Sequence, residues 1–162
     1  MAGLSRRFTE AGYELPKYML PVGEQTVFAL AVESFKKYFE TEKFIFIARD
    51  VKGTKNFIES ECRKLGIKDF QIVILDASTQ GQAETVQLGV LKSETPLETP
   101  LCIFNIDTFR KNFSFPSEPW FAHADGYLEV FKGSGQNWSY VGSAKDKSEP
   151  LVARTTEKDP IS

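Results

Sequence analysis

The first twenty residues place cations among turn-forming residues, an arrangement that suits an anionic ligand. Gly3 permits a close backbone approach, Arg7 offers a fork of donors to phosphate oxygens, and Lys17 adds a point charge after a stiff proline. The stretch matches neither the dinucleotide-binding fingerprint nor the P-loop. It therefore indicates another kind of phosphate-binding loop, and an exposed basic loop without a ligand remains the alternative.

Two further polar stretches directly follow apolar runs. Residues 75–86, LDASTQGQAETV, pass from a predicted strand through a glycine turn into a predicted helix. Ligands of open α/β sheets bind at such strand ends, although Gln82 or Thr79 could simply cap the helix. Asp107 ends the run FNID, where a carboxylate either forms a turn or binds Mg²⁺ together with substrate phosphate oxygens.

Three continuous apolar runs and three amphipathic segments must position these residues. The strands are expected at residues 43–48, 70–75 and 101–106, and the helices at residues 26–39, 53–65 and 83–91. Strands that alternate with helices indicate an α/β domain. We therefore expect a Rossmann-like, mainly parallel sheet with helices on both faces.

The hydrophobic pattern of the sequence changes after Asp107. The segments YLEVF, WSYV and LVARTTEK predict short strands of a small antiparallel flap, the first two joined as a hairpin through KGSGQN. Phosphate loops of parallel α/β domains usually follow a buried first strand, and here the loop begins at residue 1. We expect residues 1–162 to form a single, incomplete domain that is trimmed at both ends.

Composition excludes several classes of protein. The 162 residues carry a net charge of −2, which does not provide the broad basic face of a general nucleic-acid binder. Cys62 and Cys102 are expected to be buried thiols, and His123 has no nearby cysteine or histidine with which to share a metal. Neither a membrane span nor a secretory signal is evident, so we expect a cytoplasmic location.

Five short motifs, AGLSRRF, LPK, GQA, NID and EKDP, follow one another in an order that resembles the sugar-phosphate nucleotidylyltransferase family. The resemblance implies a GT-A-like nucleotide-diphospho-sugar transferase fold. It also implies that a nucleoside triphosphate and a sugar 1-phosphate react to give a nucleotide sugar and pyrophosphate, with Mg²⁺ as cofactor. The family context is nucleotide-sugar supply for capsule or lipopolysaccharide. A homo-oligomer is left open.

The same resemblance implies roles for individual residues. It assigns binding of the leaving group and its phosphates to Arg7 and Lys17, and Mg²⁺ binding to Asp107. It assigns sugar-phosphate binding to Glu157 and Lys158. The residues assigned to nucleotide binding are Ala2, Gly3, Asp76, Gly81 and Gln82.

Asp76 stands near the place where family members that accept uridine or thymidine nucleotides often have a glutamine. A carboxylate only accepts hydrogen bonds, so it suits the amino group of cytosine or the donor edge of guanine. This favours CTP or GTP as the substrate, unless Asp76 only ends its strand and caps the turn.

Two departures from the family pattern keep other functions open. Ser5 stands where the family has a second glycine, and the family's second metal-binding aspartate lies beyond the matched residues. These departures favour a degenerate domain that binds nucleotide or sugar phosphate without catalysis. A nucleotide-sugar glycosyltransferase is the weaker alternative, because it has no pyrophosphate leaving group for Arg7 and Lys17 to bind.

Overall fold

The computed structural model of the chain describes residues 1, 8, 10–144 and 151–161. The chain divides into two compact units, Met1–Phe115 and Pro116–Ser162. Ala2, Gly3, Ser5 and Arg7 lie outside the described residues, so their assignments stay predictions.

The first unit opens with short elements that lead into a helix. A 3₁₀ helix, Lys17–Met19, precedes the two-residue antiparallel strands β1 (Pro21–Val22) and β2 (Gln25–Thr26). Helix α1 (Val27–Val32) begins where Thr26 Oγ1 accepts a hydrogen bond from the Ala29 amide at 3.1 Å. A 3₁₀ helix, Glu33–Tyr38, continues it. The predicted helix at residues 26–39 is therefore confirmed in position, but α-helical geometry ends at Val32.

A parallel β-α-β unit forms the centre of the fold. Strand β3 (Lys43–Ala48) pairs in parallel with β4 (Asp69–Ile74), and helix α2 (Thr54–Leu65) connects them. Their apolar runs explain the pairing, because a strand covered on both faces needs no polar alternation. Helix α2 ends at Gly66, whose φ of 80° lies in the left-handed region that glycine adopts without strain. These predictions from the sequence are confirmed.

Helices cover both faces of the β3–β4 pair. The main core contains Phe28, Phe46 and Ile58, contributed by α1, β3 and α2. On the other face, Val73 and Leu75 form a second apolar cluster with Ile45 and Ile47. Helix α3 (Gln82–Lys92) packs there so closely that a Cβ on Gly89 would lie 2.0 Å from Ile47 Cδ1.

The predicted third strand is wrong. Residues 101–106 have no regular secondary structure, and Leu101 and Ile103 are 48% and 56% exposed. A strand requires a hydrogen-bonded neighbour, and the described part of the parallel sheet contains β3 and β4 alone. The segment is instead held by packing, since Phe104 lies edge-on to Phe35 with ring centroids 4.7 Å apart. The α/β class is confirmed, whereas the larger parallel sheet is not observed.

The second unit contains a 3₁₀ helix, Pro119–His123, and an antiparallel pair of strands. Strand β5 (Ser139–Ser143) pairs with β6 (Val152–Glu157), with Ser139 opposite Glu157. Two of the predicted flap strands are thus confirmed. The third is wrong, because YLEVF at residues 127–131 is not in a strand. Its apolar side chains Leu128 and Phe131 are 52% and 69% exposed, so they lack the packing that would order a strand.

Among the helices of the described residues, none is both long enough and apolar enough to cross a membrane.

Candidate functional site

A cavity of about 790 Å³ lies within the first unit, between β3 and residues 101–107. Helices α1 and α3 contribute the remaining walls. Much of the lining is apolar, and the polar lining side chains are Tyr38, Glu42, Lys43, Thr79, Gln80, Gln82, Thr85, Thr95, Thr99, Asn105 and Asp107. Gly81 also lines the cavity. The cavity therefore brings together three residues that the sequence predicts as site residues, namely Gly81, Gln82 and Asp107.

An ion pair joins Asp107 to Lys17, 90 residues away in the sequence. Lys17 Nζ lies 2.5 Å from Asp107 Oδ2, and the two side chains are 27% and 47% exposed. The lysine begins the 3₁₀ helix directly after Pro16, which fixes where its side chain starts. The ammonium also lies 5.8 Å from the centre of the Phe8 ring, a cation–π distance. The geometry thus places a cation and a carboxylate together beside the cavity.

The start of α3 forms the polar wall of the cavity. Gly81 is the N-cap residue, and Gln82 Nε2 donates a hydrogen bond of 2.6 Å to Asn105 Oδ1. The backbone at Gly81 is fully extended, a conformation that any residue adopts, and an added Cβ would meet nothing within 4 Å. The glycine is thus not required by the protein's own packing, and it leaves space at the cavity wall for a ligand.

Asp76 follows the end of β4 and lies outside the cavity lining. Its Oδ2 forms an ion pair of 2.8 Å with Lys92 Nζ, and its side chain is 89% exposed. The hydrogen bond from Lys92, together with the lysine's charge, lowers the pKa of this carboxyl. Asp76 is not among the described residues that line the cavity.

Glu157 and Lys158 are neighbours at the end of β6, in the second unit. Glu157 accepts a hydrogen bond from the Ser139 hydroxyl across the strand pair, which lowers its pKa, and its other oxygen lies 3.5 Å from Lys158 Nζ. Lys158 has a φ of 57°, and its amide donates to the Trp138 carbonyl at 3.0 Å. Both side chains are about two-thirds exposed and can reach a ligand.

Two groups at the site were not predicted from the sequence. Asn105, two residues before Asp107 in the motif NID, orients the Gln82 amide and lines the cavity. The Met1 ammonium lines it too and donates to the Ile47 carbonyl at 2.9 Å. Burial lowers the pKa of this amine, and the charge of Asp107 partly opposes that shift. The position of Asn105 close to Asp107 could have indicated it from the sequence. No feature of the sequence indicates the Met1 amine.

The two cysteines differ in their exposure to solvent. Cys62 is fully buried in α2, and burial raises the pKa of its thiol to about 12, as a buried thiol requires. Cys102 is exposed, so the prediction that it is buried is wrong. Its segment does not form the covered strand on which that prediction depended.

A solved structure has a closely similar fold. The nucleoside-diphosphate-sugar pyrophosphorylase from Vibrio cholerae RC9 is 45% identical to the whole chain, with a TM-score of 0.87. The chain is similar to this pyrophosphorylase in sequence and in fold. The chain spans 66% of the length of that neighbour. No protein-family model matches it, and no curated protein does.

The side chains at the cavity suit a metal only in part. No group of three or more histidine, cysteine, aspartate or glutamate side chains that could hold a metal occurs among the residues that the structure describes. Mg²⁺ commonly takes one or two carboxylates and completes its shell with water and substrate phosphate oxygens. Asp107 fits that mode, because it is a single, half-exposed carboxylate on the wall of a cavity large enough for a substrate.

Proposed function

We propose that this chain carries out nucleotidyl transfer from a nucleoside triphosphate to a sugar 1-phosphate, giving a nucleotide sugar and pyrophosphate. The observation that carries the proposal is the cavity in which Gly81, Gln82 and Asp107 meet, with the Lys17 ammonium 2.5 Å from the aspartate. The similarity to a nucleoside-diphosphate-sugar pyrophosphorylase supports it. The product would serve the assembly of a surface polysaccharide such as capsule or lipopolysaccharide.

The reaction needs position and charge more than a reactive side chain. An oxygen of the sugar phosphate attacks the α-phosphorus in line, and the bond from that phosphorus to the bridging oxygen of pyrophosphate breaks. Lys17 would bind oxygens of the leaving pyrophosphate and stabilise the charge that develops there. Arg7 would share this role. Asp107 would hold Mg²⁺, which when bound neutralises phosphate charge and orients the phosphates.

Substrate binding is divided among the other predicted residues. Ala2, Gly3, Gly81 and Gln82 would bind the nucleotide, the last through an amide that Asn105 already orients. Glu157 and Lys158 would bind the hydroxyls and the phosphate of the sugar. Asp76 would read the base, since its largely exposed carboxylate can accept a further hydrogen bond while paired with Lys92.

Binding without catalysis is the second candidate. Lys17 and Asp107 neutralise each other, and no group of three or more side chains that could hold a metal occurs among the described residues. Such a chain would bind nucleotide with Mg²⁺ and release no pyrophosphate. Measuring nucleotide binding and pyrophosphate release together therefore separates the two candidates.

The test measures pyrophosphate release and nucleotide affinity in parallel. The chain is incubated with Mg²⁺, each of the four common nucleoside triphosphates and a panel of sugar 1-phosphates, and binding is followed by calorimetry. Pyrophosphate release that requires a sugar 1-phosphate supports transfer, and binding without release supports the second candidate. If no triphosphate binds at millimolar concentration, both candidates are rejected.

A further inference from the structure

Adjacent residues of the 3₁₀ helix Lys17–Met19 have opposite surroundings. The Lys17 side chain is part of an ion pair with Asp107 at the cavity wall, whereas Tyr18 is 4% exposed and belongs to the main core. A 3₁₀ helix has three residues per turn, so neighbouring side chains diverge by about 120°. One short turn therefore supplies a cation to the cavity and a tyrosine to the core.

The ion pair with Asp107 does not by itself fix the position of Lys17. Exposed ion pairs contribute little stability, because water screens the charges and two long side chains lose conformational freedom. The turn is also short. Its amides at Met19 and Leu20 donate to the Pro16 and Lys17 carbonyls at 2.8 and 3.2 Å. The turn therefore depends on contacts with the core for its position.

A directed chain of hydrogen bonds connects Tyr18 to the loop that follows β3. Thr54 Oγ1 donates its one hydrogen to the Val51 carbonyl at 2.5 Å. The Tyr18 hydroxyl lies 2.7 Å from the same Thr54 oxygen, so the tyrosine is the donor in this second bond. Burial raises the pKa of the Tyr18 hydroxyl, which keeps the donated proton in place.

Both contacts of the Tyr18 side chain are with the beginning of α2. Thr54 is the first residue of this helix and is fully buried, and the Tyr18 ring lies 6.2 Å from the ring of Phe57. Helix α2 belongs to the parallel β-α-β unit, and its first residue lies near the carboxyl end of β3. Ligands of α/β sheets bind at this end of the strands. The turn that carries Lys17 is thus anchored to the part of the fold that a ligand would approach.

We propose that Tyr18, acting through Thr54, is a positioning residue that holds the Lys17 ammonium beside Asp107 for a bound triphosphate. The identity of this ligand rests on the proposed function, whereas the position of the turn is a property of the free chain. Tyr18 lies in the core, so it acts through the backbone that it shares with Lys17. A lysine side chain is long and flexible, and a fixed backbone reduces the conformational freedom that it loses on binding.

The first measurement follows amide hydrogen exchange in the free chain. Tyr18→Phe keeps the ring and removes the donated hydrogen, while Thr54 still donates to the Val51 carbonyl, so no buried donor loses its partner. Exchange at the Met19 and Leu20 amides should become about threefold to tenfold faster, because these amides close the turn.

Three further variants serve as companions to this measurement. Thr54→Val removes the acceptor and should have the same effect as Tyr18→Phe, whereas Thr54→Ser retains the hydroxyl and should keep exchange at the turn slow. The matched control is Tyr140→Phe. It removes a hydroxyl that donates to the Gly135 carbonyl in the second unit, and it should leave these two amides unchanged.

The second measurement isolates the effect on Lys17. Affinity for the tightest-binding of the four triphosphates is measured with Mg²⁺ present. Tyr18→Phe should weaken binding by about threefold or more in the parent chain, and it should cause no further loss in a chain that already carries Lys17→Ala. A tyrosine that acted by another route would cause the same loss in both chains, and one that only stabilised the fold would cause none in either.

Three results would overturn the proposal. They are unchanged exchange at Met19 and Leu20 in Tyr18→Phe, an equal loss of affinity with and without Lys17→Ala, and no loss of affinity in the parent chain. If Tyr18→Phe does not fold, Thr54→Val takes its place in both measurements. If the parent chain binds no triphosphate, the proposed function fails, and the exchange measurement alone decides whether Tyr18 holds the turn.

Discussion

Lys17 Nζ and Asp107 Oδ2 lie 2.5 Å apart, so that a cation from the start of the first unit pairs with a carboxylate of the cavity wall. In the absence of substrate each neutralises the other. Exposed ion pairs contribute little to stability, about 0 to 1 kcal/mol, so removing this one should leave the protein folded. The pair is therefore open to functional tests by substitution.

Asp107→Asn should remove the effect of Mg²⁺ on nucleotide affinity, because an amide is a poor ligand for this metal. The melting temperature should change by no more than about 4 °C, as expected when about 1 kcal/mol or less is lost. Calorimetric titration of nucleotide with and without Mg²⁺ checks this, with Asp125→Asn as the control. A folded variant with an unchanged Mg²⁺ response would mean that Asp107 only forms a turn.

Lys17→Ala should weaken triphosphate binding by about tenfold to a hundredfold, the loss of a charge-assisted contact worth about 1.5–3 kcal/mol. The matched control is Lys55→Ala, an exposed lysine in the first turn of α2. Competition binding with the triphosphate measures both. Equal effects of the two substitutions would contradict the assignment of Lys17 to phosphate.

Asp76→Asn should reduce a preference for CTP or GTP, because an amide can donate as well as accept and no longer disfavours the O4 of uracil or thymine. Affinities of the four triphosphates are compared in the parent and the variant. Lys92→Ala is the companion change, since it breaks the ion pair and keeps the carboxylate. Tightest binding of UTP or dTTP in both proteins would remove Asp76 from base recognition.

Gly89→Ala should lower the free energy of unfolding by about 1–3 kcal/mol, because the new Cβ overlaps the Ile47 side chain. Urea denaturation measures the change. Gly126→Ala is the control, since a Cβ there meets nothing within 4 Å. Adding Ile47→Val should recover part of the loss by removing the nearest atom, Ile47 Cδ1. A double variant no more stable than Gly89→Ala would contradict this origin.

The Met1 amine should make the stability depend on pH. Burial lowers its pKa in the folded chain below the ordinary value of about 8, so the unfolded chain binds this proton more tightly. The free energy of unfolding should rise as the pH increases from the folded-state pKa to about 8 and then level off. The difference between the free and the N-acetylated chain isolates this contribution. A difference that falls with pH over that interval would contradict it.

The sequence predicts elements whose patterns are local. The apolar runs of β3 and β4, the amphipathic α2 and its terminal Gly66 appear where expected, because propensity and packing agree there. Residues 101–106 carry an equally apolar run without forming a strand, since strand formation depends on a partner that the run itself does not encode.

The residues of the site were also predictable only where the pattern is local. Gly81 and Gln82 could be placed at the start of a helix because a turn precedes them in the sequence. That Lys17 meets Asp107, and that Gln82 meets Asn105, depends on contacts between residues 90 and 23 positions apart. No spacing pattern records such contacts, so the types of residue were predictable while their pairing was not.

Among the described residues no strand pairs with the edge of β3 opposite β4, and this also affects how concentrated solutions of this chain behave. An exposed strand edge is a template for intermolecular pairing, and KFIFIA combines strong β-propensity with little charge. Only Lys43, at the start of the strand, opposes such pairing electrostatically. High protein concentration should therefore promote fibrillar aggregation seeded at β3, and a lysine in place of Ile45 should delay its onset.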